Sequence, residues 1–155
     1  MEFPKNRFFN EQHKPLKDGV TSNISLTCNN EVEWNKSGNL NAVKWDGDTP
    51  SLKTDEEIYQ DSVPNLKVNL KSQCMIYQVY QYGVDSNFYG MLMHVQDFTD
   101  KPKCQSVLDG CDALWADYYE RKAKIEAHQE YTEDFSNHGV RPYSFAECRA
   151  EITGI

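Results

Sequence analysis

The chain has 155 residues and a net charge of −8, from 24 acidic and 16 basic side chains; 39% of it is hydrophobic, with 3 Trp, 9 Tyr and 7 Phe. That length and aromatic content exclude a disordered tail and fit one domain with a core of its own. The acidic balance excludes a protein that coats nucleic acid or anionic membrane by bulk attraction, while leaving room for a local basic groove or for docking on a basic partner surface.

The first twenty residues read as an arm, interrupted by Pro4, Pro15 and Gly19, whose Phe3, Phe8 and Phe9 can pin it to the body or to a partner. "MEFPKNRFFNEQHKPLKDG" has no apolar stretch of the kind a secretory signal carries, and no apolar run reaches the roughly 20 residues that cross a bilayer. "TSNISLTC" (21–28) predicts a short strand. "EVEWNKSGNLNAVKWDG" (31–47) predicts a hairpin: Val32 and Trp34 share a face, "KSGN" supplies the turn, and Val43 and Trp45 alternate on the return strand.

Residues 46–65, with Pro50 and Pro64, read as a long polar loop with room for one short helical turn. "LKVNLK" (66–71) alternates with a period of two and predicts a half-buried strand; "QCMIYQVYQY" (73–82) predicts a more central one, and "FYGMLMHVQDF" (88–98) its hairpin partner. After the linker "DKPKCQSV", residues 108–131 carry the strongest helical pattern, with Leu114, Tyr118 and Ile125 on one stripe and Trp115 at its edge. "SFAECRAEI" (144–152) predicts a second, short helix opened by a Ser144–Glu147 capping box. The expected architecture is α+β: a single domain 1–155, made of the arm (1–20), a β-rich body (21–98) forming a small antiparallel β-barrel or twisted sheet, and a helical C-terminal part (108–155) packed against it.

Chemistry-bearing patterns are sparse. His13, His94, His128 and His138 are scattered, and no cysteine lies near a histidine at metal-site spacing. His94 and Asp97 would point to opposite faces of a strand, which separates them as an acid–base pair. No phosphate-cradling glycine motif and no nucleophile elbow occurs, so neither an enzyme nor a cofactor or metal site is expected. The five cysteines, Cys28, Cys74, Cys104, Cys111 and Cys148, form no CxxC pair; their odd number predicts free thiols and a cytoplasmic location.

Five rings, Tyr77, Tyr80, Tyr82, Phe88 and Tyr89, fall within thirteen residues around a glycine-containing turn. One face of such a hairpin must be core; the other is either covered core or a platform on which bases stack. The platform reading expects Tyr80 and Tyr82 partly exposed and Met91, Met93 and Val95 buried.

From "AVKWDGDTPSL" through "NLKVNL" and "CMIYQVYQY" to "MLMHVQDF" (42–98), the pattern resembles the single-stranded-DNA-binding proteins of bacteriophages. That resemblance implies an OB barrel, a non-catalytic role and a phage origin. Single-stranded DNA would then bind through Tyr80, Tyr82 and Phe88, with Lys67 and Lys71 meeting phosphates. An alternative function belongs to a different class: an acidic phage protein that binds and inhibits a host protein, a defence system or a polymerase, through Phe8, Phe9, Trp115 and Tyr119. A replication protein is a further possible partner under the first reading, and neither reading involves a membrane.

Overall fold

Among the described residues, β structure is confined to the first third of the chain. The computed structural model, which describes residues 2–154, pairs β1 (Lys5–Phe9) with β2 (Ile24–Cys28) and β3 (Val43–Asp46) with β4 (Thr49–Leu52), each as a separate antiparallel two-stranded sheet. In register, Arg7 faces Leu26 and Trp45 faces Pro50. These strands belong to one of two units, Met1–Ser62; the other is Val63–Ile155.

Part of the expected arm is thus a paired strand. β1 ends in Phe9, which is buried with Cys28, Trp34, Ala42 and Val43. Helix α1 (Glu31–Ser37) takes the place of the first strand of the expected hairpin. The Asn30 side chain accepts a hydrogen bond from the Glu33 amide at 2.9 Å, and Gly38 closes the last turn. On a strand Val32 and Trp34 would share a face; on a helix they diverge, and Val32 is exposed while Trp34 is buried. The return strand is real, but its partner is β4, reached through a Gly47–Asp48 turn whose positive φ of 58° glycine supplies. Arg7 secures α1: Nε donates to Ser37 Oγ at 3.0 Å, Nη2 donates to the Trp34 carbonyl at 2.9 Å, and the guanidinium lies 3.6 Å from the Trp34 ring centroid.

The OB-like barrel is not formed, because residues 66–98, expected to supply its strands, are mostly helical. Helix α2 (Asp55–Ile76) runs into a six-residue π-helical turn, Tyr77–Tyr82; α3 (Ser86–Met93), α4 (Pro102–Glu126) and α5 (Phe145–Thr153) follow. The start of α2 is a capping box. Thr54 Oγ1 accepts from the Glu57 amide at 3.1 Å, Glu57 Oε1 accepts from the Thr54 amide at 3.2 Å, and Asp55, Glu56 and Glu57 complement the positive end of the helix dipole. Pro64 stands inside the helix, where its ring nitrogen has no proton for a helical hydrogen bond. The buried positions are Val63, Leu70 and Cys74, seven and four apart, whereas Val68 is 63% exposed. The alternation of Leu66, Val68 and Leu70 is therefore incidental to a helical face.

In α4 the buried residues Cys104, Val107, Cys111, Leu114, Tyr118, Arg121 and Ile125 recur at three- and four-residue steps, a continuous apolar seam broken only by one arginine. The stripe read from Leu114, Tyr118 and Ile125 is present, and the helix begins earlier than its periodicity alone shows, with Pro102 in its first turn. From α5 the Glu151 carboxylate accepts from the Lys103 and Cys104 amides at 3.1 and 2.9 Å, capping α4 from a distance. The Ser144–Glu147 capping box of α5 is formed.

Three contacts fix α2 and its π turn against α4. Lys67 pairs with Glu126, Trp115 Nε1 donates to Gln78 Oε1 at 2.6 Å, and the Tyr82 hydroxyl donates to the Val107 carbonyl at 2.9 Å. As one partner advances along the chain the other retreats, so these segments run antiparallel. Tyr82, Val84, Phe88, Leu92, Cys104, Val107, Cys111 and Cys148 form the core between them.

Candidate functional site

The tyrosine-rich segment divides its rings between core and solvent, because a helix distributes consecutive side chains around its axis where a strand would alternate them. Tyr82 is 2% exposed and Phe88 3%, so two of the three expected stacking rings are core. Tyr80 is 77% exposed. Tyr77 is half-buried and donates its hydroxyl to the Gly139 carbonyl at 2.6 Å. Burial pushes the Tyr82 phenol up to about 12, with the nearby Cys111 and Asp109 acting in the same direction. The expectation for Met91, Met93 and Val95 also fails in part: Met93 is 56% exposed, and Met91 and Val95 are half-buried. Lys67 is engaged by Glu126, while Lys71 is exposed. With Tyr82 and Phe88 in the core, the three rings therefore do not form one surface with the two lysines.

Of the second candidate set, Phe9 is core and Phe8 is half-buried within β1. Trp115 and Tyr119, one turn apart on α4, do come together on a surface. They line a groove of about 530 Å³ with Asp112 of the same helix, facing Met75, Gln78 and Val79 from the end of α2 and the π turn, with Tyr89 and Ser86 of α3 also in the lining. Asp112, Trp115 and Tyr119 fall at i, i+3 and i+7, one stripe of the helix. Beneath it the Tyr118 ring packs edge-on against both Trp115 and Tyr119, at centroid distances of 5.4 and 5.1 Å.

The indole is held in place. Gln78 accepts its N–H and donates its own amide to the Val84 carbonyl at 3.3 Å, so one side chain ties Trp115 to the chain leaving the π turn. Asp112 is exposed and makes no ion pair or hydrogen bond among the described residues. Burial raises the Tyr89 phenol above its ordinary range, and the Asp112 charge adds to the effect. Met75, at 51% exposed, and Tyr119, at 62%, leave much of the lining apolar and open to water. The sequence shows Trp115 and Tyr119; the opposing wall is invisible in it, because Met75, Gln78 and Val79 share a face only on a helix.

A larger hollow of about 710 Å³ is lined by Gly90, Met91, His94, Asp97, Lys101 and Ile152 among others. Three of its polar side chains already have partners: Asp97 accepts from the Thr99 amide and hydroxyl, Lys101 pairs with Asp100, and His94 Nδ1 bonds the Gly90 carbonyl at 2.9 Å.

The densest polar cluster lies at the other end of α4. Asp117 accepts from Arg121 Nε and Nη2 at 3.0 and 2.8 Å and from His138 Nε2 at 2.7 Å. Arg121, 7% exposed, also donates to the Thr132 and Asp134 carbonyls and lies 4.0 Å from the Phe135 ring centroid. Burial alone would raise the Asp117 carboxyl, but the bonds from Arg121 and His138 outweigh it and hold the group below its ordinary value. Arg121 Nη1, bonded to the Thr132 and Asp134 carbonyls, and His138, bonded to Asp117, fasten the loop after α4, and burial pushes the nearby Cys74 thiol up to about 12. All five cysteines are free and buried. Among the described residues no group of three or more His, Cys, Asp or Glu is placed to hold a metal ion, and no helix is long and apolar enough to cross a membrane. No family model matches the chain, and neither a curated protein nor a solved structure matches it.

Proposed function

We propose that this chain is a non-catalytic protein-binding module that docks a segment of a partner protein in the groove walled by Trp115 and Tyr119. One observation carries the reading: a preformed groove brings Trp, Tyr, Met and Val side chains together at the surface, and the indole is locked by a hydrogen bond before any partner arrives. Tryptophan and tyrosine dominate the energy of protein interfaces, and rings already held in place lose little freedom on binding. The net charge of −8 directs the module to a basic surface. A host defence protein or polymerase, whose nucleic-acid groove is basic, is the partner class that fits, with the chain acting as an inhibitor encoded by a phage.

Single-stranded DNA has less support as the ligand. With Tyr82 and Phe88 in the core and Lys67 neutralised by Glu126, stacking rests on Tyr80 alone. The deciding experiment places a photo-crosslinking amino acid at Tyr119, and as a control at Val140, which is 68% exposed, in nuclease-treated host lysate. A protein adduct formed at position 119, absent at position 140 and lost when Trp115 is replaced by Ala, is the expected result. Binding of labelled oligothymidine at low salt, with no protein adduct, overturns the reading.

A further inference from the structure

We infer that the partner segment presents a cationic side chain, lysine or arginine, seated on the Trp115 and Tyr119 rings with Asp112 as its counter-charge. The inference rests on the groove being the docking surface and names what fills it. Aromatic faces carry negative charge density, and a cation held over them is attracted without giving up the apolar contact of its stem. Asp112 stands one turn before Trp115 on the same stripe and has no partner among the described residues, whereas many acidic side chains of the chain are already paired, including Glu126 with Lys67 and Asp117 with Arg121. An anionic or purely apolar segment would leave that carboxylate opposed or unused. Lys122 already lies 6.0 Å from the Tyr119 ring centroid, at the outer limit of such a contact, and Lys122 is not part of the groove lining. The groove therefore pairs an apolar floor with one uncompensated negative charge, the complement of a basic, partly apolar peptide.

The test uses the full chain, labelled with nitrogen-15, and two peptides: acetyl-Leu-Arg-Leu-Arg-amide and its counterpart with citrulline in place of arginine. Citrulline keeps the shape and loses the charge. The Trp115 indole N–H, assigned with Trp115→Phe, should move with the arginine peptide, and about three- to fivefold more citrulline peptide should be needed for the same shift. Asp112→Asn should remove most of that difference without lowering the melting temperature, since the side chain is exposed and unpartnered. Equal binding of the two peptides overturns the cation while leaving the groove as a docking surface. A Tyr119 crosslink to protein with no indole shift from either peptide overturns it as well. Absence of both crosslink and shift overturns the docking surface itself.

Discussion

Gly110 tests the packing of α4 against the π turn most directly. A methyl group at this position would lie 1.8 Å from the Tyr82 hydroxyl oxygen and 2.6 Å from its ring carbon, closer than real atoms approach. Tyr82 is 2% exposed and its hydroxyl is bonded to Val107, so the ring has nowhere to retreat. In a helix interior, replacing Gly by Ala normally stabilises by about 1 kcal/mol. Here overpacking costs about 1–3 kcal/mol, and the displaced hydroxyl gives up a bond worth about 0.5–1.5 kcal/mol. Gly110→Ala should therefore destabilise by about 2 kcal/mol net, read as a lower urea midpoint with an unchanged slope. Tyr82→Phe removes the nearest clashing atom, so the double variant should lose less than the sum of the two single losses. A midpoint for Gly110→Ala at or above that of the parent would refute the proposed fit of Tyr82 against α4.

The thiols supply a second prediction: Cys74, Cys104 and Cys111, each pushed up to about 12 mainly by burial, should resist iodoacetamide at pH 8 in the native protein and react within minutes in denaturant, and a reductant should leave the melting temperature unchanged. Mass spectrometry after alkylation reads the first part; any disulfide contradicts it. Asp117 has a folded value below its ordinary 3.8, so its contribution is complete above about pH 4 and disappears as pH falls through that lower value. Asp117→Asn should cost about 3 kcal/mol at neutral pH, since it leaves the buried Arg121 short of its counter-charge, and the gap from the parent should narrow in urea melts below pH 4. Gly83, at φ 91° with the Arg141 guanidinium over it, should not tolerate alanine: Gly83→Ala should lower stability by more than about 1 kcal/mol, and a neutral result contradicts the assigned backbone.

How much of this was legible depended on whether local signals agreed with one another. α4 and α5 were readable because periodicity, charge pairs and the Ser144–Glu147 box all point to helix. β2 and the Val43–Trp45 strand were readable from β-branched and aromatic alternation. α2 was not. Its Thr54–Glu57 box sits in a stretch rich in polar residues, Pro64 argues against a helix interior, and the chance alternation of Leu66, Val68 and Leu70 imitates a strand. Aromatic and β-branched residues in 73–98 strengthened the same error, because strand preference records fit to a half-buried surface, which packing against α4 supplies equally well. Half of the groove was visible as Trp115 and Tyr119. The facing wall depends on the fold of residues 75–79 and could not be read without it.

The π turn has a consequence for how the chain tolerates change in length. Each of its carbonyls is reached one residue later than in an α-helix, as the Gly83 amide bonding to the Gln78 carbonyl shows. The segment thus stores one surplus residue and sets the angular phase of everything after it. Excising a single residue between Tyr77 and Tyr82 would let the helix run on with regular hydrogen bonds while turning Tyr82 by about 100° away from Gly110. Secondary structure would be preserved or improved, yet the ring that locks α4 and the glutamine that holds Trp115 could no longer both face their partners. In this protein the spacing of the groove's two walls is a matter of counting residues, and an irregular turn keeps the count.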